Sequence, residues 1–173
     1  YIILGISGNA NEVIPITAYA DASDGLSANG RGVGAMTLTY GRGPIVRTAK
    51  MLKQNGYSSA MNELINCSEQ AKTVLYLSEY LQLMGFKTET VIYQDNGAAI
   101  ANLETTKKPP IKYIQQKYFW LRDLAERGEI ELRKCDTRYM WSDVDTKPIT
   151  NIWKFHLYNA MVSGKAGYIG HRE

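Results

Sequence analysis

Ile16-Thr17-Ala18-Tyr19-Ala20-Asp21-Ala22-Ser23 is a run of strand-forming residues that hands over a carboxylate where it stops. Ile16 to Ala20 reads as a short, partly buried strand, so Asp21 is expected at a strand end, where the backbone is rigid. The arrangement recurs further along. Val91-Ile92-Tyr93 reads as a strand that ends in Gln94-Asp95-Asn96-Gly97, ahead of an Ala-rich helical run from Ala98 to Asn102. Carboxylates at neighbouring strand ends can converge on one cation. Between the two strands Leu64, Cys67, Ser68, Ala71, Leu75, Ser78 and Leu81 recur at three- and four-residue steps. That spacing predicts a long helix from Ser58 to Met84, with Glu63 in its first turns, near the sheet.

The remaining elements follow outward from this unit. Val33 to Tyr40 and Pro44 to Ala49 read as strands joined at Gly41-Arg42-Gly43, an antiparallel hairpin. Thr88 to Gln94 then pairs parallel with the first strand through a right-handed crossover. Pro109-Pro110 interrupts helix formation, so Ile111 to Arg127 begins a new helix, which Gly128 ends. Glu129 to Cys135 is the fifth strand and Thr150 to Val162 the last helix. The expectation is an α/β fold: a mixed five-stranded sheet, three antiparallel strands and then parallel ones, flanked by helices. Residues 1–162 form the domain; 163–173, with Gly164, Gly167 and Gly170, read as a tail or linker. A start at Tyr1 instead of Met suggests a piece of a longer product.

Composition narrows the classes. A chain of 173 residues that is 45% hydrophobic is one domain of ordinary size with a real core. A net charge of +3 is too small to mark a nucleic-acid binder by itself. Residues 105–122, however, carry Lys107, Lys108, Lys112, Lys117 and Arg122 with no acidic residue. This is either a phosphate-facing strip or a solvated helix face. Cys67 and Cys135 lack metal-ligand spacing and are expected to be reduced and structural. No run approaches membrane-spanning length and no signal peptide is visible, so no membrane association is expected.

Several motifs stand in a fixed order. Tyr19-Ala20-Asp21-Ala22-Ser23 is followed by Gly43-Pro44-Ile45, by Ser58-Ser59-Ala60-Met61-Asn62-Glu63-Leu64, and by Tyr93-Gln94-Asp95-Asn96-Gly97-Ala98-Ala99-Ile100. Gly128-Glu129-Ile130-Glu131-Leu132 and Ser142-Asp143-Val144-Asp145-Thr146-Lys147-Pro148-Ile149 complete the set. Over roughly Ile16 to Met161 the ordered set resembles the ribonuclease H domain of Ty1/copia-type LTR retrotransposon polyproteins. The resemblance implies the ribonuclease H-like fold and a catalytic, metal-binding set of Asp21, Glu63, Asp95 and Asp143 that holds two Mg2+ or Mn2+ ions. It also implies cleavage of the RNA strand of RNA/DNA hybrids, a reverse transcriptase domain in the same polyprotein as partner, and a cytoplasmic, virus-like-particle setting. Ser23, Ser59 and Asn96 flank the carboxylates as candidate hybrid contacts, with Lys107 and Lys108 in the basic strip. Three departures stand out: Met61 replaces the family's first glutamate, Tyr113 stands where histidine is common, and the loop 135–142 has no histidine. His156, in the last helix among Trp153, Phe155 and Leu157, is expected to have a structural role, and His171 lies in the tail.

Each carboxylate has a plainer reading when taken alone. Asp21 fits a turn cap beside Ser23, Asp24 and Gly25. Glu63 fits a solvated helix residue, and Asp95 an N-cap for the Ala-rich helix. Asp143 has Asp136 and Asp145 as rivals close by. Two functional rivals also remain: a DNA-directed nuclease on the same fold, and a non-catalytic domain that supports a reverse transcriptase.

Overall fold

A computed structural model describes residues 13–24, 30–40, 43–54, 56, 58–104 and 112–162. Strands β1 (Ile14–Ser23), β2 (Val33–Tyr40) and β3 (Gly43–Met51) form an antiparallel meander. Helix α1 (Ser59–Leu83) then returns the chain so that β4 (Thr88–Gln94) lies parallel to β1. Next come α2 (Gly97–Glu104), α3 (Lys112–Glu126) and β5 (Glu131–Lys134), which is parallel to β4, then a single turn α4 (Asp143–Thr146) and α5 (Ile152–Val162). The sheet order is β3-β2-β1-β4-β5. This is the mixed five-stranded architecture expected from the sequence.

Local chemistry explains the boundaries. Ser58 adopts an extended backbone and its side chain accepts from Met61 N, which caps α1. Gly128, at φ +71, lets Glu129 N bond Leu124 O at 2.9 Å and closes the end of α3, a conformation that suits a residue without Cβ. The Gly41-Arg42 link, the Pro109-Pro110 break, Tyr1 and the 163–173 segment lie outside the described residues.

The sheet buries both faces. Ile16, Ala18, Ala20, Met36, Leu38 and Ile92 pack with Leu64, Ala71 and Val74 of α1 and with Ile114, Tyr118 and Leu121 of α3. Tyr19 instead joins Met140, Trp141 and Tyr158, a smaller aromatic cluster beneath the last helix. Leu121 is fully buried, and its truncation to Ala should cost about 2–5 kcal/mol by leaving a cavity. Cys67 and Cys135 are buried and free, and burial pushes both thiols up to about 12, so neither is a nucleophile at neutral pH. No described helix is long and apolar enough to cross a membrane.

One expectation needs correction. Asp21 lies inside β1, paired with Ala35 of β2, not at the strand's end. What ends beside it is β4, since the β1–β4 pairing stops at Tyr19 and Tyr93 while β1 and β2 run on to Ser23 and Val33. The shorter neighbour exposes Asp21 to the residues that follow β4.

Candidate active site

Strand parity sends Asp21 to the same side as Tyr19, opposite Ala20 and Ala22. Helix α4 is docked there by Ser142, whose hydroxyl donates to Tyr19 O and accepts from Thr37 N at 2.9 Å. Once α4 is seated, the Thr146 hydroxyl donates to Asp21 Oδ2, and Lys147 Nζ reaches Asp143 Oδ1 at 2.9 Å and Asp21 Oδ1 at 3.5 Å. Asp143 is itself buried, and its second oxygen accepts from Lys154 Nζ of α5 at 2.5 Å.

Helix α1 approaches from the other side through Asn66. Its amide donates to Asp21 O at 2.8 Å and to Ala35 O at 3.0 Å, while Gln70 Nε2 donates to its Oδ1 at 3.0 Å. The approach is close enough that a Cβ on Gly34 would stand 2.4 Å from Asn66 Oδ1, so only glycine fits there. Glu63 lies one turn earlier on the same helix face. It is buried, not solvated.

Asp95 follows β4 directly. Its reading as a helix cap is not what the structure shows: Asn96 Oδ1 accepts from Ala98 N and Ala99 N at 3.0 and 3.3 Å and caps α2, leaving Asp95 to the centre. Thr137, from a single 3₁₀ turn at Thr137–Tyr139, donates to Asp95 Oδ2 at 3.1 Å. The loop without histidine thus reaches the site with a hydroxyl.

Oxygens of Asp21, Glu63 and Asp95 all lie within 4.8 Å of one another. Burial raises the Asp21 pKa, opposed by the Thr146 hydroxyl and the Lys147 ammonium. Burial, and after it the negative charge of Asp21, pushes the Glu63 carboxyl up to about 9. Glu63 Oε2 is buried with no hydrogen-bond partner. Three hard oxygen donors, short of positive charge and with a lone pair unsatisfied, fit a divalent cation such as Mg2+ or Mn2+.

The rivals of Asp143 are engaged elsewhere. Asp145 pairs with Arg47 of β3 at 2.7 Å, and Asp136 caps the 3₁₀ turn and pairs with Arg138 at 2.7 Å. Ser23, Ser59 and Asn96 line, with Asp24, Glu63, Asp95 and Lys147, an open pocket of about 510 Å³. Ser23 Oγ also accepts from Val33 N at 3.3 Å. Lys107 and Lys108 lie outside the described residues. Further along the basic strip, Lys117 bonds Ser68 and Glu69, and Arg122 pairs with Glu126 at 2.7 Å, so these two serve the fold's own carboxylates. His156 is exposed, with its ring centre 6.0 Å from that of Phe155, and has no contact with the carboxylates among the hydrogen bonds and ion pairs of the described residues.

Thr137, Thr146, Lys147 and Lys154 were not among the candidates. Thr146 and Lys147 stood in the quoted motif, three and four residues after Asp143, the helical spacing that brings side chains together. Nothing in sequence marks Lys154.

A five-stranded sheet in the order β3-β2-β1-β4-β5, with acidic residues gathered where β4 ends beside β1, defines the ribonuclease H fold. Solved structures agree on the fold. The N-terminal RNase H domain of a Mycobacterium tuberculosis protein superposes with a TM-score of 0.55 at 11% identity, covering 88% of this chain and 99% of that one. LC11-RNase H1 in complex with RNA/DNA hybrid gives 0.52 at 12% identity, covering 76% and 93%. The PFV RNase H domain gives 0.51 at 14%, covering 91% and 95%. In sequence the chain is similar to the retrovirus-related Pol polyprotein from transposon TNT 1-94 of Nicotiana tabacum, 27% identical over 127 residues, a match covering 72% of this chain. The match spans 10% of the length of that polyprotein. No family profile matches.

Proposed function

We propose that this chain is a metal-dependent endoribonuclease that hydrolyses the RNA strand of RNA/DNA hybrids during retrotransposon reverse transcription. The observation that carries the reading is the convergence of Asp21, Glu63 and Asp95 within 4.8 Å on this fold, with Asp143 tied into the same centre through Lys147. Likeness to a transposon Pol polyprotein and to a ribonuclease H solved with hybrid supports the substrate class.

Asp21, Glu63, Asp95 and Asp143 would hold two Mg2+ or Mn2+ ions. Such ions, when bound, activate water and stabilise the leaving oxygen of a phosphodiester. The chain's own residues fix the ligands: Thr146 and Lys147 orient Asp21, Thr137 orients Asp95, and Asn66 pins the helix that carries Glu63. Ser23, Ser59 and Asn96 line the approach and meet the 2′-hydroxyls that distinguish the RNA strand. Products carry 5′-phosphate and 3′-hydroxyl ends. The partner is a reverse transcriptase domain of the same polyprotein, acting in cytoplasmic virus-like particles; tethering to it raises the effective hybrid concentration at this site.

The test is cleavage of matched RNA/DNA hybrid, double-stranded RNA and double-stranded DNA, with and without Mg2+. Only the hybrid should be cut, only with metal. Asp95→Asn should lower the rate on the order of a hundredfold or more while hybrid binding survives. Preferential cutting of double-stranded DNA, or an unchanged rate in the variant, would overturn the reading.

A further inference from the structure

The carboxylates of this centre differ in what neutralises them. Glu63 has no cationic partner among the described residues, whereas Asp143 has both oxygens taken, Oδ1 by Lys147 and Oδ2 by Lys154. Lys147 divides itself between Asp143 and Asp21. Lys154 is directed at Asp143, and its Nζ also stands 5.4 Å from the centre of the Tyr158 ring. That ring is 1% exposed and anchored by a 2.9 Å bond from its hydroxyl to Met140 O, so it forms a fixed wall beneath the ammonium.

The position of Lys154 makes little sense for its own helix. It occupies the first turn of α5, where a positive charge opposes the helix dipole. Asn151 Oδ1 already accepts from Trp153 N and Lys154 N at 3.0 and 3.2 Å, so the turn is capped without it. A cation there is explained by Asp143. A divalent ion at about 2.0–2.1 Å from Asp143 would stand beside the ammonium on Oδ2, and two cations at one carboxylate repel each other, so the ion binds well only once the ammonium withdraws.

We propose that the Lys154 ammonium is a tethered counterion standing in the cation position at Asp143. The metal-free protein then offers one open cation site, at Asp21, Glu63 and Asp95, and takes a second ion at Asp143 only by displacing Lys154. The inference rests on the reading of Asp143 as a metal ligand. Displacement is mechanically simple, because the lysine stem is flexible and its side chain is 28% exposed. Phosphates of a bound hybrid add negative charge beside Asp143, so substrate and second ion should arrive together. Lys154 is in these terms a positioning residue that sets how much metal the centre needs.

The experiment counts bound Mn2+ by electron paramagnetic resonance of the free ion, in the whole chain without nucleic acid. Wild type should bind one ion well and a second weakly. Lys154→Met keeps the stem over Tyr158 and removes the charge; it should tighten the second ion by about tenfold or more, the equivalent of one charge-assisted hydrogen bond lost from the competing state, and leave the first unchanged. Lys154→Arg keeps the charge and should keep the second ion weak. Asp143→Asn should abolish the second ion in either background. Two ions bound equally well by wild type, an unchanged second affinity in Lys154→Met, or equal tightening by Met and Arg would each overturn the proposal. A first ion indifferent to Asp95→Asn would instead overturn the site assignment beneath it.

Discussion

Glu63 and Asp143 are equally hidden, each 4% exposed, and the fold treats them in opposite ways. Glu63 arrives on a long helix among buried polar residues, and its carboxyl is driven toward the neutral form by desolvation and by the charge of Asp21. Asp143 arrives on a single helical turn and meets two ammonium groups. Burial is the largest single influence on Lys154 and works against its charge, yet the hydrogen bonds to Asp143 and Tyr158 and the charge of Asp143 together outweigh it and raise the Lys154 pKa above the ordinary lysine value. Equal depth therefore comes with opposite surroundings: no cation faces Glu63 among the described residues, and two face Asp143. One half of the centre is left short of positive charge, and the other is balanced before any ion arrives.

The largest effect that would break this comparison is on cleavage. Glu63→Gln keeps shape and removes the carboxylate from the open half, so hybrid cleavage should fall on the order of a hundredfold or more. The same variant should make the metal-free protein more stable at pH 8, because Glu63 must take up a proton to fold at that pH and Gln need not. A rate near that of wild type would remove Glu63 from the site.

Stability should respond with the opposite sign on the balanced half. Asp143→Asn strands Lys154 and leaves Lys147 with Asp21 alone; since both side chains can turn to solvent, the cost should be about 1–3 kcal/mol, below that of a fully enclosed pair. Denaturant unfolding of both variants at one pH checks the signs. Equal signs would show that the two halves do not differ.

A pH series sharpens the contrast. Glu63 titrates near 4.5 in the unfolded chain and at about 9 in the folded one, so the unfolded state releases its proton first. Stability of the metal-free protein should therefore be fullest below about pH 4.5 and fall as pH rises toward 9, with a slope for this group of at most about 1.4 kcal/mol per pH unit. Asp21, raised in the same direction, adds to the fall. Excess Mg2+ should flatten the slope and EDTA restore it, read from thermal unfolding between pH 5 and 9; a slope indifferent to Mg2+ would argue against a cation at this cluster.

The smallest effect belongs to Asp145. Its pair with Arg47 is partly exposed, so Asp145→Asn should cost no more than about 1 kcal/mol and leave cleavage at the parental rate. Loss comparable to Asp143→Asn would reverse the choice between the two acids.

Much of this was legible in the chain. The strand-forming run from Ile16, the three- and four-residue steps after Leu64 and the glycine at 128 located β1, α1 and the end of α3, because those signals act within a few residues. The carboxylates were legible as an ordered set. What stayed hidden depends on contacts across the fold. That Asp21 lies within its strand is decided by where β4 stops, and the single turn of α4 is too short for a periodic signal. Lys154 is an ordinary surface residue until α5 is packed beside Asp143. The basic strip misled for the same reason: Lys117 has an acidic partner, Glu69, 48 residues earlier.

The Ser142 docking has a kinetic consequence. Thr146 meets Asp21 across 125 residues and Ser142 meets the backbone of Tyr19 across 123. Such distant pairings close late, after the local helices and hairpin have formed. During synthesis the first carboxylate therefore waits, unsupported, until nearly the whole domain has left the ribosome. A nascent or truncated copy ending before Met140 would possess all five strands and three of the acids but neither Asp143 nor the hydroxyl and ammonium that fix Asp21, and so should remain inert while still incomplete.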